Sequence, residues 1–162
     1  MLCNTIRFVG LTALTACGYG FSAGGGRLPG EASALAVPIF ENATSEAQLG
    51  ALFTGALREA LVGRGRLAAD DGHAPRVFGT VFSVSGGGSA LGAGTRVGAF
   101  VVTARIKVRV EQEGRVLFAD DVTGSEDYLP GVDILGTEAS RRAALQRLAR
   151  SLMERALERM QR

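Results

Sequence analysis

The amino-acid sequence predicts an α+β domain built as a two-layer sandwich: two amphipathic helices on one face of a four-stranded, mostly antiparallel sheet, in the order β-α-β-β-β-α. Three patterns carry that expectation. Leu49, Leu52, Phe53, Ala56, Leu57, Ala60 and Leu61 recur at helical spacing, and Ala144, Leu145, Leu148, Ala149, Leu152, Ala156 and Met160 do so again near the end of the chain. Between them, Val102-Thr103-Ala104-Arg105-Ile106-Lys107-Val108-Arg109-Val110 alternates strictly. Val102, Ala104, Ile106, Val108 and Val110 therefore share one face of a strand, while Thr103, Arg105, Lys107 and Arg109 share the other. A sheet that is apolar on one side and basic on the other takes its cover on the apolar side, where both helices can bury their stripes.

The chain opens on a segment outside this domain. Residues 1–7 carry one positive side chain and no acid, residues 8–14 are a short apolar run, and Leu14-Thr15-Ala16-Cys17 closes the run with small residues before a cysteine. This resembles a bacterial lipobox. On that reading residues 1–16 are a lipoprotein signal peptide that is removed, and Cys17 becomes the lipidated amino terminus that anchors the protein to a membrane. The apolar run is far short of the about 20 residues that span a bilayer. Glycine-rich residues 18–26 have no period, so residues 17–33 are expected to form a flexible tether. Residues 34–162 are then one domain.

Losing the first 16 of 162 residues leaves 146, enough for one domain with a real core. Arg7 leaves with the leader, so a formal net charge of +2 falls to +1, which does not call for nucleic acid as a partner. Cys3 also leaves and Cys17 carries the lipid, so no thiol remains for a disulfide or a metal site. With His73 the one histidine, no metal and no cofactor is expected.

Within the domain, Leu35-Ala36-Val37-Pro38-Ile39-Phe40 reads as a short strand, at an edge or bulge because Pro38 has no amide to give to a ladder. Glu41-Asn42-Ala43-Thr44 reads as a turn, and Ser45 with Gln48 has the form of a capping box at the start of the first helix, which Gly63 ends. Polar residues 64–75 lead to a strand in which Phe78, Thr80, Phe82 and Val84 alternate with Val77, Gly79, Val81 and Ser83. Glycine-dense residues 86–94 read as a mobile hairpin loop. They lack the Gly-Lys-Ser/Thr ending of a phosphate-binding loop and the glycine spacing of a nucleophile elbow.

After the alternating strand, a three-residue turn Gln112-Glu113-Gly114 would oppose Val110 to Val116, Val108 to Phe118 and Arg105 to Asp121. It leaves Asp120 opposite Ile106, where a bulge is allowed for. Residues 124–136 read as a loop, with Thr137 capping a last long helix whose wet side carries Arg150 with Glu154 and Glu158 with Arg162 as i,i+4 pairs.

Cys17-Gly18-Tyr19 at the lipobox, Val37-Pro38-Ile39-Phe40-Glu41-Asn42 before the first helix, and residues 128–133 leading into Glu138 and Arg141-Arg142-Ala143-Ala144-Leu145 resemble the LPS-assembly lipoprotein family, LptE. The resemblance implies an outer-membrane lipoprotein on the periplasmic face. Such a protein plugs the LptD β-barrel translocon, helps it fold, and contacts lipopolysaccharide on its way to the outer leaflet. Under it, Arg105, Lys107 and Arg109, with Arg96 and Arg115, are expected to meet lipid A phosphates or core-sugar acids by charge-assisted hydrogen bonds. The bland alternative is a solvated strand face neutralised by Glu111 and Asp121. A strand such as residues 37–42 followed by a helix also occurs in lipoproteins with a TolB amino-terminal-like domain that regulate peptidoglycan synthases. An enzyme is not expected. Asp70-Asp71 lies in a loop, and Asp120-Asp121 on a strand would point to opposite faces.

Overall fold

The strict alternation of the third strand fixes the middle of the molecule. In the structure, a computed structural model that describes residues 26–89 and 98–161, the elements are β1 (Glu41–Asn42), α1 (Leu49–Val62), β2 (Arg76–Ser89), β3 (Ala99–Gln112), β4 (Arg115–Tyr128) and α2 (Ile134–Met160). The sheet order is β1-β2-β3-β4, with β1 parallel to β2 and the other pairs antiparallel. Helix α1 packs against α2 and β2, and α2 lies across β4 and β3, so both helices cover one face. Val102, Ala104, Ile106, Val108 and Val110 are fully buried beneath them with Phe53, Leu57, Leu61, Leu148 and Leu152. Each such large side chain stabilises the fold by about 1.5–3 kcal/mol over leaving it in water. The expected layers and element order are those observed.

The first strand differs from its expected form. Only Leu35 and Ala36 of the apolar segment make sheet-like bridges, to Leu67 and Arg76, and the paired strand is Glu41–Asn42, two residues that read as a turn. Between these points, α1 supplies the backbone's partners. The Phe40 amide donates to Thr54 Oγ1 at 2.9 Å, and Arg58 Nε and Nη2 donate to the Val37 carbonyl at 2.9 and 2.6 Å. With Pro38 in its middle the segment cannot extend a ladder, so its polar groups are satisfied by helix side chains. Gly79 of β2 completes the fit, since a Cβ there would overlap the Phe40 ring.

Ser45 and Gln48 do not form a capping box. Gln48 precedes α1 in the left-handed region (φ 68°) and makes no side-chain cap bond. The entry is instead held by Asn42, whose Nδ2 donates to the Glu46 carbonyl at 2.7 Å and whose Oδ1 accepts from the Thr44 amide and hydroxyl. An Asx turn satisfies the same kind of groups more locally than a cap would. Gly63 follows α1 in helical conformation (φ −58°), and the left-handed residue comes at Gly65 (φ 64°).

Residues 86–89, expected in a loop, continue β2: Gly86, Gly87 and Gly88 pair with Val102, Val101 and Phe100. Backbone bonds from β3 hold them in the ladder although they bring no side chains to it. The rest of that expected loop, residues 90–94, lies outside the described residues. A bulge at Phe82, between the pairs Val81–Ile106 and Ser83–Arg105, resets the alternation so that Val84 packs against the core.

The β3–β4 register is also corrected. The turn has two central residues, Glu113 (φ 50°) and Gly114 (φ 76°), both in the left-handed region that matches strand twist. A bulge at Leu117 then shifts the pairing, giving Val110–Phe118, Val108–Asp120, Lys107–Asp121 and Ile106–Val122. The shift places Val122 beside Ile106 in the core. Asp120, unexplained in the expected register, reaches Arg159 of α2 at 2.7 Å.

Residues 124–128 belong to β4 and not to a loop. A Cβ on Gly124 would overlap the Arg155 guanidinium, so this glycine marks where α2 lies against the sheet. Helix α2 starts at Ile134, earlier than expected. Its cap is Asp133, which accepts from the Gly136 amide at 2.6 Å, while Thr137 sits in the first turn with its hydroxyl donating to the Asp133 carbonyl at 2.9 Å. Arg150 and Glu154 form no salt bridge within 4.0 Å among the described residues, and both line a hollow between the helices. Leu28 is buried, so packing reaches into the segment read as tether, and Gly26 lies against Gln161 at the end of α2.

Candidate functional site

The face of the sheet away from the helices carries the residues singled out by charge. Arg105, Lys107 and Arg109 are exposed and follow one another along β3 at about 7 Å intervals, the two-residue repeat of a strand. Cross-strand neighbours surround them: Thr80, Phe78 and Ser83 on β2, and Ala119, Asp121 and Thr123 on β4. Arg105 Nη2 donates to Asp121 Oδ2 at 3.1 Å, a diagonal pair, because the residue directly opposite Arg105 is Thr123. Arg109 Nε lies 2.6 Å from Glu111 Oε1. Among the described residues Lys107 forms no salt bridge within 4.0 Å, although Asp121 is its partner across the strands.

Two further groups belong to this face. Arg76 reaches Asp70 at 2.9 Å, and the guanidinium carbons of Arg76 and Arg109 lie 5.3 and 5.7 Å from the centroid of the Phe78 ring. Two cations over one aromatic ring gain from its quadrupole and are held in place by it. Beside them, Phe82, Ser83, Arg105, Lys107 and Asp121 line a shallow hollow of about 400 Å³. The alternation of β3 is legible in sequence, but the placing of Phe78 against Arg109 depends on a register that crosses a bulge.

Of the five expected cations, the structure brings together Arg105, Lys107 and Arg109. Arg115 stands apart at the β3–β4 turn, opposite Gln112, and Arg96 lies outside the described residues, as does Cys17. Exposed ion pairs in water hold loosely and contribute about 0–1 kcal/mol each, so these guanidinium groups can exchange a carboxylate for another anion. The face can therefore offer several N–H donors to phosphate or carboxylate groups at strand spacing.

Asp120 turns to Arg159 on the helix side and Asp121 to Arg105 on the open side, so the adjacent carboxylates do not converge. Among the described residues no group of three or more His, Cys, Asp or Glu side chains could hold a metal ion. No helix among them is long and apolar enough to cross a membrane.

Away from this face, Arg141 of α2 grips Glu46 ahead of α1 through two bonds of 2.9 and 2.6 Å. The hydrogen bond to Glu46 raises the Arg141 pKa against the effect of burial, so this half-buried clamp stays charged and ties the starts of the two helices together. Nothing in the sequence spacing announced a pair 95 positions apart.

The family model described as LptE, Lipopolysaccharide-assembly, matches residues 32–160. Among solved structures, the chain is similar to the rare lipoprotein B of Shewanella oneidensis at 15% identity and a TM-score of 0.51, covering 77% of this chain and 92% of that one. It is similar as well to a hypothetical protein of Chlamydia trachomatis at 12% identity and a TM-score of 0.57, covering 80% and 96%. At such identities these two likenesses speak for the fold. No curated protein matches the chain.

Proposed function

Since the chain belongs to the LptE lipopolysaccharide-assembly family, we propose that it is a non-enzymatic outer-membrane lipoprotein of the periplasmic face. Residues 1–16 are its signal peptide, the lipid on Cys17 anchors it, and it fits into and helps assemble an LptD-like β-barrel while touching lipopolysaccharide in transit. The observation that carries the lipid contact is the open sheet face, where Arg105, Lys107 and Arg109 stand in a row, Arg105 paired to Asp121, Arg109 to Glu111 and Lys107 to no carboxylate within 4.0 Å among the described residues. A lipid A phosphate displaces Asp121 or Glu111 and gains bidentate donors in exchange, with Lys107 as the side chain that has least to give up. Arg96 and Arg115 extend the cationic surface beyond the row.

Replacing Arg105, Lys107 and Arg109 together by Ser is expected to weaken lipopolysaccharide binding at least tenfold with thermal unfolding unchanged, because none of the three is in the core. Binding that stays the same would remove the assignment. Mass spectrometry of the native protein is expected to find an acylated Cys17 at the amino terminus, and an intact leader or a free thiol there would contradict the anchor. Affinity purification of the lipidated protein is expected to bring a barrel protein with it. The family match does not favour the alternative of a TolB amino-terminal-like regulator, for which a penicillin-binding protein would co-purify.

A further inference from the structure

The connection from β4 to α2 presents an apolar tip. Leu129 is 68% exposed, Val132 108%, Ile134 83% and Leu135 80%, although the chain around them is firmly built. The Gly131 amide donates to Thr137 Oγ1 at 3.0 Å, Asp133 Oδ1 accepts from the Gly136 amide at 2.6 Å, and the Thr137 amide donates to the Asp133 carbonyl at 3.0 Å. A Cβ on Gly131 would overlap the backbone of Gly136 and Thr137, so the loop is folded tightly onto the first turn of α2. These bonds hold the aliphatic side chains outward. Monomeric proteins seldom leave such a contiguous patch in water unless something docks on it.

The charges around the tip select the occupant. From residue 125 to residue 140 the chain carries Glu126, Asp127, Asp133 and Glu138 and no Lys or Arg. Of the nearest cations Arg147 is committed to Glu126 at 2.6 Å and Arg141 to Glu46, and exposed Arg142, seven residues along α2 from Leu135, is outnumbered by Asp127, Asp133 and Glu138, so the rim stays net acidic. Segments that dip apolar side chains into an anionic membrane surface carry Lys or Arg beside them, and an acidic rim is repelled there as it is from lipid phosphates. The chain's entry points the same way. Residue 26 lies at the far end of α2, whose 27 residues span about 40 Å. The nine residue-to-residue steps from Cys17 to it reach about 30 Å at most. Cys17, the proposed anchor, therefore cannot reach the tip.

The geometry points to the tip formed by Leu129, Val132, Ile134 and Leu135 as a docking knob for a protein partner whose surface offers an apolar hollow rimmed by Lys or Arg. Identifying that partner with the barrel, and the tether argument, rest on the proposed function; the exposed apolar tip and its acidic rim do not.

Val132 replaced by a photo-crosslinking residue in the full-length chain, expressed in cells, is expected to label one protein at an apolar segment flanked by basic residues. A label on lipid, on a second copy of this chain, or no label overturns the inference. The triple change Val132→Ser, Ile134→Ser, Leu135→Ser is expected to cut recovery of the labelled partner at least tenfold with the melting temperature held, and undiminished recovery overturns it as well. A labelled partner that is not a barrel keeps the knob and removes the barrel reading. A barrel that co-purifies undiminished with the triple variant keeps the barrel reading and removes the knob.

Discussion

On the open face of the sheet every second residue of β3 from Arg105 to Arg109 is a cation, with carboxylates of β3 and β4 close by. At the head of α2 the arrangement is inverted, with aliphatic side chains in the water and carboxylates at their margin. The two surfaces also differ in what holds them. The basic face is carried by a ladder that is indifferent to which side chains point outward. The apolar tip depends on a few side-chain-to-backbone bonds around Asp133 and Thr137. Chemistry on the first can change without touching the fold, whereas the second keeps its shape only while its own lock is intact.

The comparison is tested most severely within β3. Ile106→Ala is expected to lower the unfolding free energy by about 3 kcal/mol, because the side chain is fully buried beneath the helices. Its neighbour Lys107→Ala, on the open face, is expected to change it by less than about 0.5 kcal/mol. Urea denaturation of both variants measures the contrast, and similar losses would mean that the open face is not open. Next in size, Glu46→Ala removes both bonds from the clamp on Arg141 and is expected to cost about 1–2 kcal/mol in the same assay. Asp133→Ala should cost about 1 kcal/mol through the lost cap and speed amide exchange at Gly136, the donor it leaves unpaired. Exchange at that amide measured before and after the change decides whether the tip is locked as described. Smallest of all, Val132→Ser alone is expected to shift stability by less than about 0.5 kcal/mol, since its side chain stands in water; a larger loss would show that Val132 is part of the core.

What was legible in sequence follows from range. The stripe of α1, the faces of β3 and the layer order depend on periodicity within one element, and all three are as read. The errors fall where a second element decides. Helix α1 takes over the backbone groups of Val37 and Phe40, turning an apparent strand into a docked segment. The bulges at Phe82 and Leu117 each shift a register by one residue, and the second, added to a turn one residue shorter than expected, replaces the opposition of Arg105 and Asp121 by a diagonal contact. Gly124 reads as the start of a loop, yet it lies within β4 and serves the approach of α2. For the candidate site the row of cations is visible, while the placing of Arg109 on the Phe78 ring is not, since the register that joins β3 to β2 there crosses a bulge. The apolar residues from 129 to 135 read as loop, because composition alone does not tell which way a loop turns its side chains.

The attachment of residues 37–40 has a wider consequence. Their main-chain groups are tied down by one hydroxyl and one guanidinium from α1, in the gap between the backbone bridges of Leu35 and Ala36 and the pairing of Glu41–Asn42 with β2, so the route by which the polypeptide enters the domain is written partly in two side chains. Losing Thr54 or Arg58 would free those groups while β2, β3 and β4 keep every bond between them, so the seating of this corner and the integrity of the sheet answer to different side chains.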